Sequence, residues 1–114
     1  MTKTKTITNT TDYGRTATDG ERRIIARLLT AAFQNSYSVS VFDGEVWTVK
    51  STTKRHKVLE ALATTGEDAL RFRDPDGNVV GHVYLVWGND PSGEELIYDY
   101  TNNVSIGQLV RATI

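Results

Sequence analysis

The sequence predicts a single α+β domain built on an antiparallel sheet of about five strands, in the order α-β-β-α-β-β-β-α. Stretches with apolar residues at helical spacing alternate with short apolar runs typical of strands. Two Asp-Gly turns each join two of these runs into a hairpin. The 114 residues are enough for one hydrophobic core, whereas two cores would each be marginal. We expect residues 18–114 to form this domain.

Residues 1–17 are predicted to be a flexible, Thr-rich tail. Beyond Met1 and Ala17, Ile7 is the only aliphatic residue in this segment. So few apolar side chains cannot offset the entropy lost when a chain is ordered.

The first helix is predicted over about residues 19–34. Thr18 followed three residues later by Glu21 is a capping-box signature. Apolar residues recur behind it at helical spacing, and they are Ile24, Ile25, Leu28, Leu29, Ala32 and Phe33.

A hairpin follows in the stretch SYSVSVFDGEVWTVK. A three-residue loop of Phe42, Asp43 and Gly44 is the connection that gives one mostly apolar face. It sets three pairs opposite each other, Val41 with Glu45, Val39 with Trp47 and Tyr37 with Val49.

The second helix is predicted to begin at a cap among Ser51, Thr52 and Thr53 and to end near Gly66. Its core-facing residues would be Val58, Leu59 and Leu62. Its first turn carries Lys54, Arg55 and Lys57, although a helix N-terminus favours anions. With Lys50 these residues form a candidate nucleic-acid-binding cluster, and a solvated face is the alternative interpretation.

The segment DPDG predicts a type I turn between two strands. This hairpin would set Phe72 opposite Val80 and Leu70 opposite His82. Because nearly every residue from 79 to 87 is apolar, the second strand is predicted to be central and covered on both faces. Gly81 marks either a bulge or a place of close packing.

The last predicted strand lies in EELIYDYT and pairs back as a meander. A short helix capped by Asn102 or Asn103 ends the chain, with Val104, Ile106, Leu109 and Val110 as its apolar residues.

Composition excludes several classes of function. The chain has no cysteine, which rules out disulfides, thiolate metal sites and cysteine nucleophiles. No apolar run approaches the roughly 20 residues that span a bilayer, and the N-terminus lacks the apolar core of a secretory signal. We therefore expect a cytoplasmic protein with no membrane partner.

The formal net charge of −1 is too near neutral for a general nucleic-acid binder. The two halves of the chain differ, however, with +4 over residues 1–65 and −5 over residues 66–114. A polarised surface is one interpretation of this asymmetry, and a scatter of solvated charges is the other.

His82 is the first candidate catalytic residue, and Asp99 on the predicted neighbouring strand could orient it. No serine lies in a nucleophile-elbow pattern, so a structural histidine is the favoured interpretation. DPDGN lacks the ligands of a calcium loop, and the two histidines share no metal-type spacing. No metal, no cofactor and no catalytic residue are therefore predicted.

Exposed aromatic and acidic residues remain as a candidate partner-binding surface, since Tyr and Trp often anchor interfaces. The candidate residues are Glu94, Glu95, Tyr98, Asp99 and Tyr100 on the last strand and Phe42 and Asp76 at the hairpin tips.

The segments VSVFDGEVWTVKST, VLEAL, LRFRDPDG, VYLVWGND and YDYTNN resemble a small uncharacterised family of bacterial plasmid and phage proteins. The resemblance covers roughly residues 36–103 and rests on turn and strand residues. It implies an accessory protein of a mobile element in a bacterial host cell, a setting that includes anti-CRISPR and other anti-defence inhibitors. The leading hypothesis is a non-enzymatic protein that binds and blocks a host protein or ribonucleoprotein complex. The alternatives are a nucleic-acid-binding regulator using Lys50–Lys57 and a small hydrolase centred on His82.

Overall fold

The computed structural model describes residues 17–88 and 90–114. They form three helices and a five-stranded antiparallel sheet, which confirms the predicted class and element order. The predicted tail lies outside the described residues except for Ala17. The helices are α1 (Asp19–Gln34), α2 (Arg55–Ala61) and α3 (Val104–Arg111); the strands are β1 (Ser38–Phe42), β2 (Trp47–Thr52), β3 (Glu67–Arg73), β4 (Val79–Val86) and β5 (Ile97–Tyr100).

Helix α1 begins with the capping box that the sequence predicts. The Thr18 hydroxyl accepts from the backbone N–H of Glu21 at 3.1 Å, and the Glu21 carboxylate accepts from the N–H of Thr18 at 2.8 Å. The same carboxylate, fully buried, also accepts from the N–H of Gly88 at 2.8 Å. Glu21 therefore ties the start of α1 to the end of β4 as well as capping the helix.

The strands are arranged in the order β2-β1-β3-β4-β5, so β2 and β5 are the two edges. Alternate residues of β3 and β4 are buried, and in β1 Ser40 is buried together with Val39 and Val41. The buried apolar residues of the three strands share one face, which packs against the helices. The core consists of that face and the apolar stripes of the helices, with Ile25, Leu28, Leu29, Val39, Val41, Val58, Leu70, Phe72, Val83, Leu85, Ile106 and Leu109 fully or almost fully buried.

The prediction that β4 is covered on both faces is wrong. Residues 81, 83 and 85 are buried, whereas residues 80, 82, 84 and 86 are only half-buried. The three described helices pack on one side of the sheet, so the apolar character of the run reflects one core face and one face of large, partly exposed side chains.

The predicted register of the β1–β2 hairpin is also wrong. The loop has four residues, Phe42 pairs with Trp47, and Val41 pairs with Val49, with register shifts on either side of Val41. Asp43 closes this loop, because its carboxylate accepts from the N–H groups of residues 45 and 46, both at 2.9 Å. Val41 and Val49 share the core side, as in the predicted register, but the irregular pairing moves Trp47 to the opposite face, beside Phe42.

The β3–β4 hairpin departs from prediction by one residue. Next to the turn, Arg73 pairs with Val79, which is the predicted register. A bulge at Val80 then shifts the rest of the ladder, so that Leu70 pairs with Val83 instead of His82. Because side chains alternate between faces, this single extra residue exchanges the two faces of β4 relative to the prediction.

Close packing explains the glycine in β4. A Cβ atom at Gly81 would lie 2.6 Å from Cγ1 of Ile106 on α3 and 3.0 Å from Cβ of Thr101. The prediction of close packing at Gly81 is thus confirmed, and the bulge lies at its neighbour. Helix α3 is capped as predicted, with the Asn103 side chain accepting from the N–H of Ile106 at 2.8 Å.

Helix α2 is shorter than predicted. Ser51 and Thr52 belong to β2, and the residue at the N-cap position is Lys54, whose side chain makes no capping bond. The helix ends at Ala61, well before Gly66, and Leu62 is extended. Val58 and Leu62 are buried as predicted, and Leu59 packs partly against the core.

Candidate functional site: the open face of the sheet

The face of the sheet that turns away from the three described helices is called the open face here. Its side chains follow from the strand register, since Arg71 pairs with His82, Ala69 with Tyr84 and Tyr84 with Asp99. It carries Ser40, Phe42, Trp47, Arg71, Arg73, His82, Tyr84, Tyr98 and Asp99, together with Lys50 beside them on β2.

A continuous row of side chains crosses the open face from β2 to β5. Cζ of Arg71 lies 4.1 Å from the centroid of the Trp47 ring, and Nε of Arg71 donates to Nε2 of His82 at 3.1 Å. The His82 and Tyr84 rings are nearly parallel, at 19° and 6.1 Å between centroids, and Tyr84 meets Tyr98 at 6.3 Å. We call these five residues the aromatic–arginine row.

Trp47 is held in the row from two sides. Phe42 packs against its ring at 5.1 Å with the planes tilted by 52°, and Arg71 lies over it. A cation over an indole contributes about 0.5–2 kcal/mol, depending on how far it is desolvated. The bulge at Val80 makes this geometry possible, because without it Arg71 and His82 would not lie on the same face.

His82 is an acceptor in this arrangement. Since Nε2 accepts from the Arg71 guanidinium, the imidazole is neutral and its proton is on Nδ1. Burial lowers the pKa of His82, and the neighbouring Arg71 charge lowers that pKa further. The ring therefore resists protonation and presents an uncharged aromatic surface at neutral pH.

The predicted partnership of His82 with Asp99 is not formed. Thr101, and not Asp99, lies beside His82. The backbone N–H of His82 donates to the Thr101 hydroxyl at 2.9 Å. Asp99 pairs with Tyr84, and its carboxylate accepts from the N–H of Tyr100. The side chain that contacts the His82 ring is therefore the Arg71 guanidinium, a cation, whereas a hydrolase would need a carboxylate to orient the histidine.

A basic groove opens at the β2–β3 side of the open face, with a volume of about 520 Å³. Lys50, Arg71 and Arg73 contribute three cations to its wall, and Arg73 is held by a 2.8 Å bond from Nη1 to the carbonyl of Gly77. Among the described residues, the lining includes no carboxylate; it is completed by Ser40, Trp47, Ser51 and Gly77.

The predicted acidic, tyrosine-bearing surface is divided between two sides of the molecule. Tyr98 and Asp99 belong to the open face, and Tyr98 is 56% exposed. Tyr100 and Glu94 instead line a cleft of about 600 Å³ with Arg23 of α1 and Val110 of α3, here called the helix cleft.

The two hairpin tips are not brought together. Phe42 pairs with Ala69 near the start of β3, whereas Asp76 lies in the turn that follows the end of β3. They therefore stand at opposite ends of the strands, and Phe42 packs against Trp47 of the aromatic–arginine row while Asp76 does not contact the row. Glu95 lies in the exposed loop before β5.

The predicted basic cluster is also dispersed. Lys50 lines the basic groove, but Arg55 turns to α1, where Nη2 donates to the Thr30 hydroxyl at 2.8 Å. Lys54 and Lys57 are exposed at the start of α2. The cations that do converge with Lys50 are Arg71 and Arg73, which the sequence-based prediction omitted. Their i, i+2 spacing in LRFR was the available signal, because it places both on one face of a strand.

Comparison with protein-family models, with curated proteins and with solved structures finds no match. Within the described residues, no group of three or more His, Asp or Glu side chains is arranged to hold a metal ion. None of the described helices has the length and apolarity needed to cross a membrane.

Proposed function

We propose that this chain is a non-enzymatic binding protein that docks its open face against a macromolecular partner and thereby blocks that partner. One observation carries the proposal. A sheet face with no described helix over it displays a connected row of Trp, Arg, His and Tyr side chains instead of scattered polar residues.

The residue types of the row support this role. Trp, Tyr and Arg are enriched among the few residues that contribute most of the binding energy at interfaces. They are also pre-organised here, because the Arg71–Trp47 and Arg71–His82 contacts hold them in one arrangement before any partner arrives. A partner then loses less free energy in ordering side chains on binding.

The charge distribution supports docking in one orientation. The basic groove lies toward edge strand β2, while Asp99 lies on the opposite edge strand, β5, with Glu94 and Glu95 in the loop before it. Because Arg71 and Arg73 come from the acidic half of the sequence, this separation of charge is produced by the fold and does not follow the two halves of the chain. Complementary charge mainly raises the association rate and fixes the orientation of a complex.

The biological role that we propose is inhibition of a host protein or ribonucleoprotein complex in the bacterial cytoplasm by an accessory protein of a mobile element. The resemblance to plasmid and phage proteins supports this role, and anti-CRISPR activity is its most specific form. The mechanism requires no chemistry from this chain, because a tightly docked domain excludes the natural ligand by occupying its site.

The test is affinity capture from bacterial lysate with the tagged chain and two matched variants. We expect a Trp47→Ala/Tyr84→Ala variant, altered on the open face, to lose the partners that the wild type retains. A Tyr100→Ala variant, altered in the helix cleft, should retain them.

Charge reversal of Glu94, Glu95 and Asp99 in a third variant tests the acidic edge that the sequence predicted. Capture that is unchanged in the open-face variant, with both folds verified by circular dichroism, would contradict the proposal. Loss only in the charge-reversal variant would move the interface to the β5 edge.

A further inference from the structure

We infer that the open face binds single-stranded nucleic acid, with phosphates in the basic groove and bases stacked on His82 and Tyr84. This inference rests on the proposed function, because it names the chemistry of the partner that the open face receives. Two features of the face point to this ligand. One is the charge of its groove, and the other is the pair of nearly parallel rings of His82 and Tyr84, called the aromatic floor below.

The basic groove fits a phosphodiester backbone. Arg71 and Arg73 are two residues apart on one face of β3, so their positions along the strand differ by about 7 Å. Lys50 faces them across the groove from β2, and among the described residues no carboxylate lines the groove to compete for these cations. Three cations can therefore contact successive phosphates of one strand.

The aromatic floor fits the bases. The rings of His82 and Tyr84 differ by only 19° in plane and lie 6.1 Å apart, on adjacent outward-facing positions of β4. Every base has a π-face, so stacking on such a floor is strong and tolerant of sequence. The Arg71 bond to Nε2 keeps the imidazole uncharged, and it also places a planar guanidinium between the floor and the groove.

The same geometry selects single strands. Bases in a duplex are stacked on each other and cannot also lie on His82 and Tyr84, so a duplex could use only the basic groove. At the far side of the floor, the Asp99 carboxylate repels phosphate and limits the footprint to a few nucleotides. The net charge of −1 is compatible with this mode, because the cations are concentrated in one groove.

Fluorescence anisotropy with the full chain tests the inference. The probes are labelled oligothymidine and oligouridine of about 12 nucleotides, within the usual range of site sizes, and a hairpin duplex of similar length. We expect both single strands to bind more tightly than the duplex. If three phosphates are neutralised, the slope of log K against log salt concentration should be about −2.

The variants separate the two parts of the site. Lys50→Ala and Arg73→Ala should each reduce the salt slope by about 0.7. Tyr84→Ala should weaken binding roughly 5- to 150-fold without changing the slope, because it removes a stacking surface and no charge. The matched controls are Arg23→Ala and Tyr100→Ala, which remove one cation and one tyrosine from the helix cleft and should leave both quantities unchanged.

The inference is overturned if the wild type binds neither single strand at about 50 mM salt, where electrostatic contacts are strong. It is also overturned if the helix-cleft controls weaken binding as much as the open-face variants do. If no oligonucleotide binds but a protein partner is still captured through Trp47 and Tyr84 from nuclease-treated lysate, the inference fails while the proposed function stands. Loss of capture from lysate after nuclease treatment, together with oligonucleotide binding, supports both.

Discussion

Asp68 is expected to make the stability of this domain decrease as the pH rises. Its side chain is 4% exposed at the start of β3. Oδ2 accepts from the N–H of Ala63 at 2.8 Å and from Nε1 of Trp87 at 2.7 Å. Oδ1 is buried and has no hydrogen-bond partner among the described residues. Burial is therefore only partly compensated, and it raises the pKa of Asp68 from 3.8 to about 6.

The direction of the effect follows from proton binding. Between the two pKa values, the folded state keeps the proton on Asp68 while the unfolded state has released it. The contribution to stability is thus fully present below about pH 4 and is lost as the pH rises through about 6. A difference of about 2 pKa units at about 1.4 kcal/mol per unit amounts to about 3 kcal/mol.

The perturbation that isolates this effect is Asp68→Asn. The amide carbonyl can still accept from Ala63 and Trp87, but the side chain no longer ionises. The assay is urea denaturation followed by circular dichroism from about pH 4 to about pH 7.5, at constant ionic strength. The free energy of unfolding of the wild type, measured relative to the variant, should fall by about 2–3 kcal/mol across this range.

The comparison with the variant is needed because other carboxylates oppose the trend. Backbone N–H groups lower the pKa of Asp43, and a bond from the Ser92 hydroxyl lowers that of Asp90, so both favour folding at higher pH. Glu67→Gln is the matched control, since it removes an exposed carboxylate beside Asp68 and should preserve the wild-type fall. The reasoning would be refuted if the free energy of unfolding of the wild type, relative to Asp68→Asn, did not change with pH or increased as the pH rose.

Three further predictions concern the contacts that shape the fold and the open face. Gly81→Ala should lower the free energy of unfolding by about 1–3 kcal/mol, because the added methyl group meets Ile106; an unchanged urea midpoint would contradict the packing described. Arg71→Ala should raise the pKa of His82, because it removes the neighbouring positive charge that lowers this pKa. NMR titration of the imidazole measures the pKa, and a lower or unchanged value would contradict the influence of Arg71 on the ring. Glu21→Ala should lower the free energy of unfolding, measured by urea denaturation, because the N–H groups of Thr18 and Gly88 lose their acceptor at a cost of about 1–3 kcal/mol each. A total loss below about 1 kcal/mol, which is typical of an exposed cap, would argue against the buried bridge to β4.

Much of the fold can be predicted from the sequence, because the sequence signals for these elements lie within short continuous segments. The capping box and the apolar periodicity of α1 lie within one continuous segment, and the predicted bounds of about 19–34 match Asp19–Gln34. The DPDG turn sets the pairing of Arg73 with Val79 for the same reason. The element order follows from the alternation of such local signals along the chain.

The errors arise where two distant segments decide the structure together. The bulge at Val80 lies beside the close approach of Gly81 to Ile106, about 25 positions further along the chain. Gly81 by itself predicted either a bulge or close packing, and it left the position of a bulge open. Helix α2 begins later than predicted because Ser51 and Thr52 are recruited to pair with β1.

The candidate site depends on those same non-local choices. Tyr98 and Asp99 were predicted as surface residues from their type, and the structure places both on the open face. The role of this surface, the mobile-element setting and the identity of the partner stay predictions. Arg71 and Arg73 were omitted, since a strand's two faces cannot be told apart until the register is known.

The sequence by itself determined the presence of the three helices, the number of strands, their order along the chain and the DPDG turn, because each depends on residues that are neighbours in the chain. Only the tertiary structure decided which side of the sheet the helices cover and which side chains meet on the other. One extra residue in β4 exchanges the faces of that strand, and its position is set by packing between segments far apart in sequence. The contact of Arg71 with Trp47 and His82 exists for that reason.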